Sequence, residues 1–548
     1  MVFASGRPIP SSAASPTQRL LPSGPADNLT FGTILGGLGL TPELANTGTT
    51  DLGNLTASIT LANPGAVRIR PDTYPIPLLA AGKTIRFHIR VWGVGLGRHA
   101  ALPQIQLAVY TDQGQHAAAL LTVRVLGPFT RIQSISYEGE DYPGYILYSP
   151  EYSTKTLLMD KNGTIRHTWE SPYIQGLGIS LLENGDLLRT AMPNVNPVFI
   201  SGGVTGRVER YDWNGTLTWG FNYSTPQHCL HHDIAMLPDG DILMVAWEYK
   251  TAQEAIAAGR DPSSLPLGEL WPDHVIEVRP TGPASGDIVW QWHIWDHLIQ
   301  DYDSTKANYG NVTDHPELLD INYGIHEGRD RADWNHINAI DYNPKFDQIL
   351  LSVHNQREIW IIDHSTTTQE ATGHTGGRSG HGGDLLYRWG NPRTYRRGTS
   401  QDQQLFGQHD AQWIPPGCPG EGDILLFNNG EGRPEGQYST VDELRPPVDD
   451  NGTYTLIPGS AYGPSQPLWS YQARDPFDFY AGYLSSAQRL PTGTTLICDG
   501  DHGLFLEVTP EGNTVWEYRN RLPDPVDNQV FKAVCYAPSY PGLHLLPP

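Results

Sequence analysis

Short runs in which apolar and polar residues alternate, each closed by Gly, Pro, Asn or Asp, recur along almost the whole 548-residue chain. A period of two puts every second side chain on one face, so such runs predict half-buried β-strands. Between Leu29 and Val125 they read TASITLAN, TIRFHIRVWGV, IQLAVYT and AALLTVRVLG, and predict a small β-sandwich over 29–128. Beyond it one unit recurs with variation. Its first half is an apolar strand, a turn and a second strand, as in ISLLENGDLLRTA, IAMLPDGDILMVA, AQWIPPGCPGEGDILLFNN and AQRLPTGTTLICDG. Its second half ends in an aromatic cluster around Trp169, Trp219, Trp290, Trp389, Trp469 or Trp516. A four-stranded sheet has apolar faces that only neighbouring sheets can cover, so these six endings predict an all-β fold, a six-bladed β-propeller over 129–548. VFKAVCYAP near the C-terminus is expected to add an inner strand to the sheet of YILYSPEY and KTLLMDKNGTIRHTW, latching the ring shut. Two insertions interrupt the repeat. One, 295–333, is expected to be partly helical around HPELLDINYGIHEG and to fold over one face. The other, HTGGRSGHGGD from His374 to Asp384, is glycine-rich and lacks the Lys-Ser/Thr ending of a phosphate loop.

Composition agrees with an all-β reading: 58 Gly and 45 Pro supply the turns, and 39% hydrophobic residues supply a core. With 36 basic against 59 acidic residues the net charge is −23, a field that repels nucleic acid and anionic membrane surfaces. No apolar run is long enough to span a bilayer. The first 28 residues, rich in Ser, Pro and Ala without a continuous apolar stretch, read as a disordered or partner-docking arm rather than an intact signal peptide. Arm and sandwich together offer a route to a homo-oligomer. Four cysteines allow two disulfides, with Cys498–Cys535 and Cys229–Cys418 the favoured pairs; four buried thiols are the alternative. Sequons begin at Asn28, Asn54, Asn162, Asn214, Asn222, Asn311 and Asn451, as in a glycosylated secreted or periplasmic protein. Those at Asn162, Asn214 and Asn451 are Asn-Gly-Thr, which is equally the chemistry of a tight turn.

Aligned on their turns, the first strands of the blades share one column. His232 precedes Pro238 by six, His409 precedes Pro415 by six, and Ser485 precedes Pro491 by six; His336 opens the corresponding strand in WNHINAIDYNP, and His231 doubles His232. A single histidine of this kind is more often a hydrogen-bonded structural residue. Recurrence in one column weighs differently, because packing alone does not favour imidazole over leucine whereas a pocket for an anion or a metal does. Inner strands line the central channel of a propeller, so these side chains are expected to converge at one rim. Asp233, Asn338 and Asp410 stand beside them, where they can fix imidazole tautomers or simply cap turns.

The runs HHDIAMLPDGDIL, DWNHINAIDYNP, QILLSVHNQREIWIIDH, GGDLLYRWGNP and QHDAQWIP resemble those of the arylsulfate sulfotransferases, six-bladed propellers preceded by a small β-domain. The resemblance implies that a histidine attacks the sulfur of an aryl sulfate, and that a phenolic acceptor resolves the sulfohistidine, with no cofactor and no metal. It places the nucleophile on His409, with His336 and His231 or His232 in support, and His354 where the family has an arginine. An arginine such as Arg357, Arg388 or Arg433 would then be needed to counter the sulfate, or a protonated His354. Asn338, Arg388 and Trp334 are the expected substrate contacts, with Trp389 and Trp413 as further stacking surfaces. Two other readings stay open. Converging histidines can hold iron, copper or zinc, and a propeller with no activity can serve as an extracellular binding or assembly module.

Overall fold

The computed structural model describes residues 29–46, 50–63, 66–96, 102–111, 114–137, 141–324, 332–523 and 527–546. The expected arm, 1–28, lies outside the described residues. The chain is all-β, its α-helical segments among the described residues being Ala252–Ala257 and Thr368–Ala371. None of its described helices is long and apolar enough to cross a membrane. It divides into two compact units, the first comprising Met1–Asp141, Asn162–Thr164 and Glu507–Tyr518 and the second the remainder.

The first unit has two sheets. Leu29–Leu35, Thr41–Asn46 and Thr84–Arg86 make one antiparallel sheet. The other runs from Phe129–Tyr137 through Gly114–Gly127, Gln104–Thr111 and Leu52–Asn63 to Thr73–Leu79. Phe31 and Leu44 of the first sheet and Leu55, Ile59, Val109 and Leu121 of the second share one apolar core, as the alternating pattern requires. Within this unit Phe129–Tyr137 also pairs with Thr514–Arg519, Ile135 standing opposite Glu517.

The second unit repeats one arrangement. Its innermost strands, labelled in chain order, are β1 (Ile174–Leu181), β2 (His228–Met236), β3 (Ile337–Asn343), β4 (His409–Trp413), β5 (Ser486–Arg489) and β6 (Val530–Tyr536). Each of β1 to β4 opens a four-stranded antiparallel sheet whose strands follow in chain order. The fifth four-stranded sheet is completed by β6, which pairs with Tyr145–Pro150 with Cys535 opposite Ile146, so the C-terminal strand joins the earliest strands of this unit as expected. Neighbouring sheets cover both faces of the middle strands; Gln348–Val353 and Ile424–Asn428 are buried at every position, which is why ILLSV and ILLFN are continuous apolar runs. Innermost strands lie against one another in the cyclic order β6, β1, β2, β3, β4, β5 and back to β6. A cavity of about 340 Å³ is lined from all six, by Ile179, Ala235, Ile340, Gln412, Gln488 and Val534 among others.

The recurring tryptophans have a definite task. Trp169, Trp219, Trp290, Trp389 and Trp469 stand on the outermost strands of their four-stranded sheets. The indole N–H of Trp169 donates to the carbonyl of Asp212 at 3.0 Å, Trp219 to that of Ser285 at 2.9 Å, Trp290 to the hydroxyl of Thr366 at 3.1 Å, and Trp389 to the carbonyl of Pro464 at 2.6 Å. Every acceptor lies in the outer turn of the following sheet. Each of these four tryptophans thus buries a large ring and pins its sheet to the next with one directional bond.

Two expectations change, on the cysteines and on the insertion's helix. The cysteines are four free, buried thiols: Cys229 donates to Ser224 and the Leu230 carbonyl, Cys498 to the Val530 carbonyl, and burial pushes these thiols and that of Cys418 up. Small apolar strand positions recruited cysteine as a hydrophobe, so an even count carried no information about compartment. HPELLDINYGIHEG contains no helix among its described residues; Leu319–Asp320 instead pairs in parallel with Leu298–Ile299. Asn162, Asn214 and Asn451 precede glycines with φ of +78°, +82° and +85°, the left-handed backbone of tight turns.

Candidate active site

The histidine-bearing innermost strands break their ladders at one level. Register shifts fall between Leu230 and Ile234, Ile337 and Ala339, and His409 and Gln412. Left-handed φ values of 52° at His232, 59° at His336, 52° at Asp410 and 87° at Ser485 accompany them. A non-glycine residue in that conformation costs of order 1 kcal/mol, and a bulge turns side chains out of the regular alternation. Here the bulges bring imidazoles from three strands together. His232 and His336 have ring centroids 4.6 Å apart, His336 and His354 5.4 Å, and His354 and His409 5.3 Å, while Phe531 of β6 lies 6.1 Å from both His232 and His409. His231 stands behind His232, stacked on Trp247 at 3.9 Å. His336 and His354 keep 13% of their side-chain surface exposed, so the cluster opens on their side.

Hydrogen-bond partners fix the tautomers. His409 Nδ1 lies 2.8 Å from Asn429 Oδ1. The Asn429 amide nitrogen donates to the carbonyls of Ala481 and Leu484, at 2.9 and 3.0 Å, so the asparagine can present only oxygen to the ring. Nδ1 therefore carries the proton, and Nε2 of a neutral His409 has a lone pair. His354 Nδ1 likewise meets Asn355 Oδ1 at 2.9 Å, the Asn355 amide being held by the Asp333 carbonyl. His336 Nδ1 lies 2.5 Å from Asp333 Oδ2, and that carboxylate also accepts from Ser201 Oγ and Trp247 Nε1. His231 and His232 face each other through Nδ1 at 2.9 Å, and His231 Nε2 lies 3.2 Å from Asp273 Oδ1, outside good alignment.

Burial dominates the electrostatics. It pushes His231, His232 and His409 well below the ordinary imidazole value, with neighbouring imidazoles adding to the effect, and brings His354 down to about 4. Burial also lifts Asp273 well above the carboxylate range, reinforced by the charge of Asp333. For Asp333 burial acts upward, but His336 and the Ser201 hydroxyl outweigh it and hold the carboxyl low. Beneath the cluster Lys532 of β6 places Nζ 2.8 Å from Asp233 Oδ2 and 2.7 Å from Asp410 Oδ1, a buried triad tying β6 to β2 and β4. Burial lifts Asp410 to about 6 even against the lysine's pull.

Most of the other expected contacts are engaged elsewhere, whereas the charge of Arg357 reaches His354. Arg388 is buried against Glu358, at 2.6 Å, with Thr394 and the carbonyls of Pro316 and Leu318 using its remaining donors. Arg433 bonds the Tyr438 carbonyl and Thr440. Arg357 follows His354 in one turn, its backbone N–H donating to the His354 carbonyl at 3.0 Å. The Trp334 indole donates to the Tyr323 carbonyl inside an apolar core, Trp389 is one of the sheet-linking tryptophans, and Trp413 ends β4 with its backbone N–H on Asp341. Asn338 donates to the carbonyl of Gln408, next to His409, and so ties down the start of β4 rather than reaching the ring cluster by its amide nitrogen. Asn429, Asp333, Asp273 and Lys532 went unnoticed in the sequence. Only Lys532 carried a signal, as the lone charge inside an apolar innermost strand.

Residues 133–526 match the family model described as Arylsulfotransferase (ASST), well over half of the chain. No curated protein matches. Among solved structures, a protein of unknown function from Bacteroides caccae is 11% identical, with 72% of this chain and 98% of that one covered and a TM-score of 0.40. The β-propeller domain of Cps50 (Swd1) from Myceliophteria thermophila is 9% identical over 68% and 86%, with a TM-score of 0.34. Apo AztD from Citrobacter koseri is 9% identical over 88% and 98%, with a TM-score of 0.28.

Proposed function

Because the chain belongs to the arylsulfotransferase (ASST) family, we propose that it moves a sulfuryl group from an aryl sulfate to a phenolic acceptor through a sulfohistidine on His409. In this reading residues 129–548 form a closed six-bladed propeller, residues 29–128 before them in the chain form a β-sandwich, and the chemistry sits where β2, β3 and β4 bulge. One observation carries the assignment: Asn429, itself locked by two carbonyls, leaves His409 with an unprotonated Nε2. Burial keeps that imidazole neutral at neutral pH, so the lone pair is available without a general base.

The steps balance as follows. His409 Nε2 attacks sulfur; the S–N bond forms as the bond from sulfur to the aryl oxygen breaks. The departing phenolate takes a proton from His336, whose Nδ1–H is anchored on an ionised Asp333 that stabilises its protonated form, as an aspartate orients the histidine of a catalytic triad. An acceptor phenol then returns a proton to His336, attacks sulfur and releases His409. Charge on the peripheral sulfate oxygens needs fixed donors. His232 supplies one. His231 and His232 share one hydrogen between their Nδ1 atoms, 2.9 Å apart, and with His231 donating it His232 keeps its own hydrogen on Nε2. His232, its ring 4.6 Å from that of His336, takes the substrate side, and His231, stacked on Trp247, stands in support. His354, partly exposed and 4.0 Å from Glu431, stands where the family has an arginine, and burial, which brings it down to about 4, leaves it without that arginine's charge at neutral pH.

The test uses an aryl sulfate whose released phenol is coloured, with and without a second phenol. Acceptor-dependent release that vanishes in His409→Ala supports the proposal; a folded wild type silent across several donors and acceptors rejects it in favour of a binding propeller.

A further inference from the structure

The two insertions meet at a second histidine group, made of other residues than the ring cluster. His297 belongs to the insertion after Ser285–His293, the outer strand of the sheet that β2 opens, and His374 and Asp384 bound the glycine-rich loop HTGGRSGHGGD. His297 Nδ1 and His374 Nδ1 each lie 2.8 Å from the same oxygen, Asp384 Oδ1. All three donor atoms fall within 4.8 Å of one another. His297 is fully buried, and its Nε2 lies 2.9 Å from the carbonyl of Ala371, so Nε2 carries the hydrogen. With Nε2 donating to the Ala371 carbonyl, His297 turns Nδ1 to the same carboxylate oxygen that His374 Nδ1 faces, so two imidazole nitrogens and one carboxylate oxygen converge on a single point. From these donors we propose that His297 Nδ1, His374 Nδ1 and Asp384 Oδ1 bind one divalent transition-metal ion of the zinc class, clamping the two insertions together.

The chemistry of the set fits. Two imidazoles and a carboxylate are common zinc donors, and an imidazole that ligates by one nitrogen usually donates the other to a backbone carbonyl. Zn–N and Zn–O bonds of about 2.0–2.1 Å in a tetrahedron put donors roughly 3.3 Å apart, so the groups need open by only about 0.5 Å. Surroundings hold the buried half in place: Trp292 stacks on His297 at 5.7 Å and donates its indole N–H to the Gly383 carbonyl at 2.7 Å. Gly383 is required for this closeness, since a Cβ there would stand 2.1 Å from the Ala371 carbonyl and 2.6 Å from His297 Nε2. The other half is open. The His374 side chain is 59% exposed and lines a cavity of about 520 Å³ with Trp295, Asp296, Tyr309 and His315, which gives an ion a path and a water a fourth position.

The experiment uses the untagged full chain, stripped with a chelator and titrated calorimetrically with zinc chloride, with metal content measured after dialysis. One zinc per chain is expected, with binding at least about tenfold weaker in His374→Ala, a substitution at an exposed position that leaves folding intact. Tetrahedral absorption bands on cobalt substitution, lost in His374→Ala and kept in His409→Ala, are expected as well. A wild type that retains no zinc, or His374→Ala binding as tightly as wild type, overturns the site and leaves an imidazolium–carboxylate cluster. Neither result touches the sulfuryl-transfer reading, whose residues are different.

Discussion

Replacing Asn429 with alanine separates a positioning role from mere packing. Three hydrogen bonds go, to His409 Nδ1 and to the carbonyls of Ala481 and Leu484, all buried. At about 1 kcal/mol net apiece, the folded state loses roughly 3 kcal/mol, read as a drop in the urea midpoint. The catalytic cost is separate. Without the asparagine oxygen, His409 can rotate and move its proton to Nε2, the atom that must attack. Losing one orienting bond of about 1.4 kcal/mol lowers kcat about tenfold. KM for the aryl sulfate stays unchanged, because Asn429 lies behind the ring. The assay is acceptor-dependent phenol release under saturating donor, on variant protein shown to be folded at the assay temperature. A kcat within about twofold of wild type, beside the expected loss of stability, would refute the orienting role and with it the choice of Nε2 as nucleophile.

Four further outcomes follow from the same geometry. Because burial lowers the pKa of His231, His232, His354 and His409, the unfolded chain takes up protons that the folded one refuses as pH falls below the ordinary imidazole value, so stability falls with pH there; for His354, down to about 4, the gap is worth about 3 kcal/mol. Asp410, raised to about 6, works oppositely and loses stability as pH rises through that value, so a urea midpoint that does not decline on acidification toward pH about 5 would contradict the balance. Lys532→Met strands two carboxylates and is expected to cost about 3–5 kcal/mol, measured by thermal or urea unfolding, the loss shrinking at acid pH. His354→Arg restores a permanent cation and is expected to lower KM for the donor about tenfold; an unchanged KM would deny that position a role in holding sulfate. Gly203→Ala places a Cβ 2.0–2.3 Å from the His232 ring at a φ of +78°, and is expected to lower kcat through displaced His232, whereas full activity would place His232 outside the reaction.

What the sequence disclosed and what it hid have physical reasons. Period-two alternation and the tryptophan endings marked the sheets, because burial between neighbouring sheets imposes apolar runs and an indole at each outer strand. The latch strand VFKAVCYAP was legible for the same reason. Histidines in one column were visible because the blades repeat, so His232, His336 and His409 could be aligned without knowing the bulges that aim them. Their partners were not visible: Asn429 reaches His409 from the end of the adjacent strand and Asp273 reaches His231 across its sheet, contacts that only the pairing register creates. Arg388 misled for a related reason. An arginine in an apolar strand has to meet a carboxylate somewhere, and sequence alone did not say that Glu358, thirty residues away, was already there. The cysteines misled because composition cannot distinguish a thiol used as a small apolar group from one placed to be oxidised.

The central claim is a covalent sulfuryl group on His409. Mixing the full chain with an aryl sulfate in the absence of acceptor, quenching at high pH and mapping peptides by mass spectrometry tests it directly. The expected result is one SO₃ increment per chain on the peptide carrying His409, formed with one burst of phenol, discharged by an added phenol and missing from His409→Ala. Phenol release by the wild type with no increment, or an increment that persists in His409→Ala, would contradict it.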